Sequence, residues 1–183
     1  MKKVSLIKIL DKIKKKNIAI IGHMGSGKSV FAGKIANHYG IQHLDSDKEI
    51  IKYEKSSINN IFSKKGESYF REIESNIVIK ILKKKNIIVS LGGGSILTKK
   101  IRDELKKQSL TLFLDVKMEV LFNRLKKSKN RPLLKDKNIL TTIKQLDGQR
   151  RKFFLNADII IDNSGTTNIT FTNFIKILTN LND

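Results

Sequence analysis

Gly22-His23-Met24-Gly25-Ser26-Gly27-Lys28-Ser29 fits the pattern G-x-x-x-x-G-K-[ST], between a short apolar run and a segment of helical periodicity. Strand before and helix after is the setting in which this pattern forms a phosphate-binding P-loop. The spacing has a physical basis. Glycines permit positive φ and leave backbone N–H groups free to converge on phosphate oxygens. The following helix adds the partial positive charge of its N-terminus. Lys28 is placed to reach the β- and γ-phosphates of a nucleotide, and the Ser29 hydroxyl to ligate Mg²⁺. An ordinary glycine turn needs no such combination of fixed positions.

The rest of the chain supplies the sheet that such a loop requires. Asn17–Ile21, Ile41–Leu44, Ile87–Leu91, Leu110–Leu114 and Ala157–Ile161 are short and rich in Ile, Val, Leu and Phe. Near-continuous runs of this kind suit parallel strands buried on both faces. Between them, Ser29–Tyr39, Glu67–Lys84, Lys117–Lys126 and Ile139–Phe154 carry apolar residues at helical spacing. Ile73, Ile77 and Ile81, with Val78 and Leu82, make one such stripe. Strands alternating with helices predict an α/β domain, a three-layer sandwich around a five-stranded parallel sheet. The 183 residues suit one domain, spanning 17–183. Residues 1–16 precede it as a basic extension, with Val4, Ile7, Leu10 and Ile13 at helical spacing. An amphipathic helix docked on the domain is expected there, ahead of a membrane-surface helix. The single proline, Pro132, falls in a lysine-rich stretch at 126–138 that reads as a loop between two helices.

Composition removes several classes of function. The chain has no cysteine, which excludes a disulfide scaffold, a thiolate metal site and a cysteine nucleophile. Three scattered histidines do not suggest a histidine-rich metal centre. No apolar run approaches the roughly 20 residues needed to cross a bilayer, and the start lacks a secretory pattern. A monomeric cytoplasmic domain is expected. The charge is less ordinary: 37 Lys+Arg against 17 Asp+Glu leave +20. The lysines come in short bursts at Lys14–Lys16, Lys83–Lys85, Lys106–Lys107 and Lys126–Lys127. Most of these follow helical segments, where cations complement a helix C-terminus. Tryptophan is absent and no aromatic cluster offers a stacking platform, so no specific nucleic-acid partner is expected.

Other groups fall where an open α/β sheet places its ligands, beyond the carboxyl ends of the strands. Asp45 and Asp47 follow the second run; one can support Mg²⁺ while the other orients an attacking hydroxyl. Equally, Ser46 or Asp47 could simply cap a helix over Lys48–Tyr53. Arg71 stands early in a long helix, suited either to bidentate carboxylate capture or to an ion pair with Glu67 or Glu74. Gly92-Gly93-Gly94 directly follows the third run, implying close approach of a ligand or of another backbone. Ser90, at the end of that run, could support the metal's outer coordination. Arg131 and Arg150 read either as groups over a nucleotide or as solvated charges.

Taken in order, these motifs resemble the shikimate kinase family. The P-loop in its GxMGxGKS form, Asp-x-Asp, Gly-Glu-x-x-Phe-Arg-x-x-Glu, Gly-Gly-Gly, Arg-Pro-Leu-Leu and a final Arg ahead of Ala-Asp all appear between Asn17 and Asp162. The resemblance implies ATP-dependent phosphorylation of the shikimate 3-hydroxyl, on the route to chorismate and aromatic amino acids. It also implies a P-loop kinase fold with substrate-binding helices and a closing lid, here about 126–138. Position by position, Gly25, Ser26, Gly27, Lys28 and Ser29 would bind the nucleotide, with Mg²⁺ on Ser29 and Asp45. Asp47 would hold the acceptor hydroxyl. Arg71 and Arg150 would clamp the substrate carboxylate, with Gly93 and Gly94 beside them and Phe62 and Phe70 walling the ring. Arg131 would descend with the lid onto the phosphates, joining Asp47 and Lys28 in catalysis.

The chain departs from the family pattern at three places. Val30 replaces the hydroxyl residue usual after the P-loop serine, Phe154 stands where a tyrosine is common, and Arg151 follows Arg150 directly. Spacing alone favours Arg150 over Arg151 for the clamp. A gluconate-type or other small-metabolite kinase shares the P-loop and the Asp but is not expected to combine Phe-Arg with three glycines. A basic P-loop protein that binds nucleic acid is the non-enzymatic alternative.

Overall fold

Which residues pair across the sheet, and which faces they bury, sets the architecture. In the computed structural model, which describes residues 5–126 and 138–182, the chain begins α1 (Leu6–Lys12), β1 (Asn17–Ile21), α2 (Lys28–Tyr39), β2 (Gln42–Asp45). It continues α3 (Ser46–Glu54), α4 (Ile58–Leu82), β3 (Ile87–Ser90), α5 (Lys99–Gln108), β4 (Ser109–Asp115) and α6 (Met118–Lys126). It closes with α7 (Ile139–Phe154), β5 (Ile159–Asp162) and α8 (Thr167–Asn182). The five strands lie in the order β2-β3-β1-β4-β5, all parallel.

Each inner strand feeds two cores at once. Ile18 and Ile20 of β1 point to one face with Leu112 and Leu114, where α1, α2 and α8 bring Ile9, Leu10, Phe31, Ile35 and Phe174. Ala19 and Ile21 point to the other, with Val89, Phe113 and residues of α4, α5 and α7. Side chains alternate along a strand, so continuous apolar runs are what two covered faces demand. Full burial of a residue such as Phe113 or Ile20 stabilises the fold by about 1.5–3 kcal/mol. Asn17 is the polar exception in β1. It is fully buried, donates to the Leu82 carbonyl at 2.6 Å and the Lys84 carbonyl at 2.8 Å, and accepts from Ser109 at 2.6 Å. One amide thereby ties together the entries to three adjacent strands.

The edges differ from the sequence expectation in instructive ways. β2 and β5 each run on to an aspartate, because Asp45 pairs with Ser90 and Asp162 with Asp115 in the ladder. Ala157 instead belongs to the last turn after α7, its N–H donating to the Phe154 carbonyl. α4 begins at Ile58 rather than Glu67, and Gly66 interrupts it with φ 80 and ψ 171. That left-handed φ favours glycine. The residues before the break pack with α3 in a small cluster of Ile50 and Ile61, which Phe70 joins from beyond the break. In α1 the inward stripe is Leu6, Ile9 and Leu10; Ile7 is turned outward. Among the described residues, no helix is long and apolar enough to cross a membrane.

Candidate active site

The P-loop joins the end of β1 to the start of α2 at the carboxyl edge of the sheet. Gly27 caps α2 in a left-handed conformation, φ 89, and Asn163 after β5 secures the loop from behind. Its side-chain amide donates to the Ser26 carbonyl at 2.7 Å, and its own oxygen accepts from Thr170 at 2.8 Å. A Cβ on Gly27 would come within 3.0 Å of that amide. Asn163 escaped the sequence reading; its only signal was a polar residue just past a strand's carboxyl end.

The atoms inside the loop fit a phosphate group. Ser26 Oγ is buried with no hydrogen-bond partner, an arrangement rare for a buried hydroxyl unless something else bonds it. Lys28 Nζ donates to the carbonyls of Gly22 at 3.0 Å and His23 at 2.7 Å. A phosphate oxygen would compete for that ammonium directly. Val30 is largely exposed.

Asp45 resolves the choice between capping and ligating by doing the first while prepared for the second. Its Oδ1 caps α3, accepting from the N–H groups of Asp47 at 3.1 Å and Lys48 at 3.3 Å. The expected caps, Ser46 and Asp47, are instead the first residues of the helix. Its Oδ2 accepts from Ser29 Oγ at 2.5 Å and Ser90 Oγ at 2.8 Å. Burial pushes the Asp45 carboxyl up, but the bonds from Ser29, Ser90 and Lys48 outweigh it and leave it below the usual carboxylate range. An ionised carboxylate touching a serine hydroxyl fits Mg²⁺, which takes one or two protein oxygens and completes its shell with phosphates and water.

The three glycines make room for the acceptor side. A Cβ on Gly92 would meet Asp47 Oδ1 at 2.7 Å, one on Gly93 would meet Met24 N at 3.2 Å, and one on Gly94 would meet Arg71 Nη1 at 2.6 Å. The Gly92 N–H donates to Ser46 Oγ at 2.9 Å, fixing this turn against α3. Arg71 pairs with Glu74 at 2.7 Å and with Glu67 at 3.1 Å, which is the ion-pair reading of this residue. Glu74 is 1% exposed and is held in turn by Ser95 Oγ at 2.7 Å. Arg150 reaches the same place from α7, with Nη1 3.6 Å from a Cβ on Gly93. It is 5% exposed, and its Nε is buried without a partner. Burial, then the nearby Arg71, lowers its proton affinity. Two guanidiniums at consecutive glycines, one with an orphaned N–H, suit a bidentate anion such as a carboxylate.

Arg151 goes elsewhere, to Asp115 at 2.9 Å. The helix phase therefore puts Arg150 in the site and Arg151 outside it. Phe154 is buried, stacked on Phe113 at 5.0 Å, so its packing does not depend on a hydroxyl. Phe62 and Phe70 contact each other at 4.5 Å between ring centres, next to Arg71. Arg131 and nearly all of the expected lid lie outside the described residues.

A parallel sheet with a P-loop at its carboxyl edge, and with Asp47, Arg71 and Arg150 gathered at the neighbouring glycine turn, fits a small-molecule P-loop kinase, an ATP-dependent phosphotransferase. Residues 24–179 match the family model described as shikimate kinase. The shikimate kinase of Persephonella marina is 38% identical over 160 residues, 87% of this chain and 96% of that protein. That of Aquifex aeolicus is 40% identical over 142 residues, 78% and 83% of the two chains. A solved shikimate kinase from Acinetobacter baumannii, in complex with shikimate, superposes with a TM-score of 0.85 at 29% identity, covering 94% and 98%. A gluconokinase from Sinorhizobium meliloti shares the fold alone, at a TM-score of 0.60 and 16% identity. The chain belongs to the shikimate kinase family.

Proposed function

We propose that this chain transfers the γ-phosphoryl group of ATP to the 3-hydroxyl of shikimate, giving shikimate 3-phosphate and ADP. The observation that carries the acceptor assignment is the convergence of Asp47 at Gly92, Arg150 at Gly93 and Arg71 at Gly94, with the P-loop backbone packed against Gly93. In this reading the two guanidiniums take the shikimate carboxylate, and Phe62 and Phe70 flank the ring. Asp47 accepts the proton of the attacked hydroxyl. Lys28, Ser26 and the backbone of Gly25–Ser29 hold the phosphates, while Ser29 and Asp45 hold Mg²⁺. When bound, Mg²⁺ neutralises charge on the phosphate oxygens. Transfer is direct and in line, because a loose phosphoryl transition state chiefly requires positioning and charge stabilisation. Arg131, between α6 and α7, is assigned to the phosphates in this reading. In the same reading the working unit is a cytoplasmic monomer.

The test is ADP release in a coupled assay with shikimate, gluconate and AMP side by side. Turnover with shikimate and background rates with the others is the expected result; preference for gluconate would overturn the acceptor assignment. Arg71→Lys keeps the charge and loses the planar fork. It is expected to raise KM for shikimate by about tenfold, the cost of roughly one charged hydrogen bond, with KM for ATP little changed. An unchanged KM for shikimate would remove Arg71 from the clamp.

A further inference from the structure

The second residue of the P-loop has a partner 124 positions away. His23 is 4% exposed, and its Nε2 lies 2.8 Å from Oδ1 of Asp147 on α7. The ring also stands edge-on to Phe154 at 4.9 Å. Asp147 in turn lies 3.5 Å from Arg151 Nη1, and Arg151 binds Asp115 at the end of β4 through both of its terminal nitrogens. His23, Asp147, Arg151 and Asp115 thus form a chain from the nucleotide loop through α7 to the sheet.

We infer that His23 and Asp147 are positioning residues, a latch that sets the nucleotide loop and the helix carrying Arg150 in one register. Three observations on opposite sides of the bond meet here. The His23 carbonyl accepts from Lys28 Nζ, so whatever fixes His23 fixes the acceptor that Lys28 leaves when it turns to phosphate. Asp147 and Arg150 are three residues apart on one helix, and such residues share a face. Gly93, beside Arg150, packs against the backbone on either side of His23, at Gly22 O and Met24 N. The charged groups facing the imidazole are Asp147 and Arg150 of α7 and Lys28 of α2. Burial lowers its proton affinity more than Asp147 raises it, so the neutral ring donates from Nε2 and Asp147 accepts. Neither side chain is assigned a reacting atom.

The inference rests on the shikimate kinase reading for the role of Arg150, and its test separates the two. His23→Phe keeps the ring against Phe154 and removes the N–H; Asp147→Ala removes the acceptor; Asp147→Asn keeps an acceptor oxygen. Both Michaelis constants and the melting temperature are measured on the full-length chain. A coupling free energy of about 1 kcal/mol between two sites corresponds to about fivefold in affinity. His23→Phe is therefore expected to raise KM for shikimate about fivefold, although it alters only the nucleotide loop. Asp147→Ala is expected to raise KM for ATP similarly, although it alters only α7. The double variant should be no worse than the worse single variant, and Asp147→Asn should recover most of the loss. A lower melting temperature with both constants within about twofold of wild type makes the contact structural only and overturns the latch. Effects that multiply in the double variant overturn it too. If the wild-type chain fails to turn over shikimate, the acceptor reading fails. The latch is then judged on the affinity of Asp147→Ala for a fluorescent ADP analogue, where a value equal to wild type overturns it.

Discussion

Asp47→Asn is expected to reduce kcat by about 10²–10⁴-fold, the range that positioned general bases contribute, while the protein keeps its fold. The geometry explains why these two effects separate. Asp47 sits in the first turn of α3, but the turn is capped by Asp45, and Asn fills the same space beside Gly92. Losing a negative charge at a helix N-terminus costs about 0.3–1 kcal/mol of stability. Under the proposed role no other group there replaces the lost base, because Glu74, the second carboxylate against Gly92, is bound by Arg71 and Ser95. KM for ATP should stay near its wild-type value, because Asp45 and Ser29 are untouched. Turnover within about tenfold of wild type in the coupled assay would dismiss Asp47 as the base.

Lys28→Met is expected to fall on the other substrate. The side chain stays unbranched, one atom shorter, and loses its charge, and the carbonyls of Gly22 and His23 lose a donor. A donor aimed at charge that develops in the transition state contributes about 10²–10³-fold in kcat. We therefore expect a loss of that order in kcat, with KM for shikimate close to wild type. The loop itself should persist, since Asn163 holds Ser26 from the opposite side and Gly27 still caps α2. Far-UV circular dichroism distinguishes this outcome from misfolding. A variant that binds ATP and turns over normally would contradict the phosphate role of Lys28.

The sheet was legible in the sequence because strands buried on both faces leave uninterrupted apolar runs, and helices between them leave a different period. Residues at the strand ends were harder. A carboxylate there can cap a helix or support a metal, and Asp45 makes the bonds of a cap through one oxygen while the other stays with Ser29 and Ser90. Arg71 was ambiguous for a similar reason, since it serves Glu67 and Glu74 and still faces Gly94. Arg150 and Arg151 are chemically identical neighbours; only the phase of α7, fixed by packing, sends one to the glycines and the other to Asp115. Asn163 and the pair His23–Asp147 depend on contacts across 137 and 124 positions, and no local pattern announces them.

The break at Gly66 divides the molecule's cohesion unequally. Ahead of it, α3 and the first part of α4 close on Ile50 and Ile61, with Phe70 reaching in from beyond, whereas the two faces of the sheet bury far larger clusters. Small units of this kind open at lower free energy than the global transition. Amides of residues 46–65 should therefore exchange with deuterated solvent before those of β1 and β4, as a cooperative unit of their own. Asp47 and Phe62 ride on that smaller unit while Arg71, Gly93, Gly94 and Arg150 stay with the rest of the domain, so one wall of the proposed acceptor site is able to loosen while the P-loop stays in place.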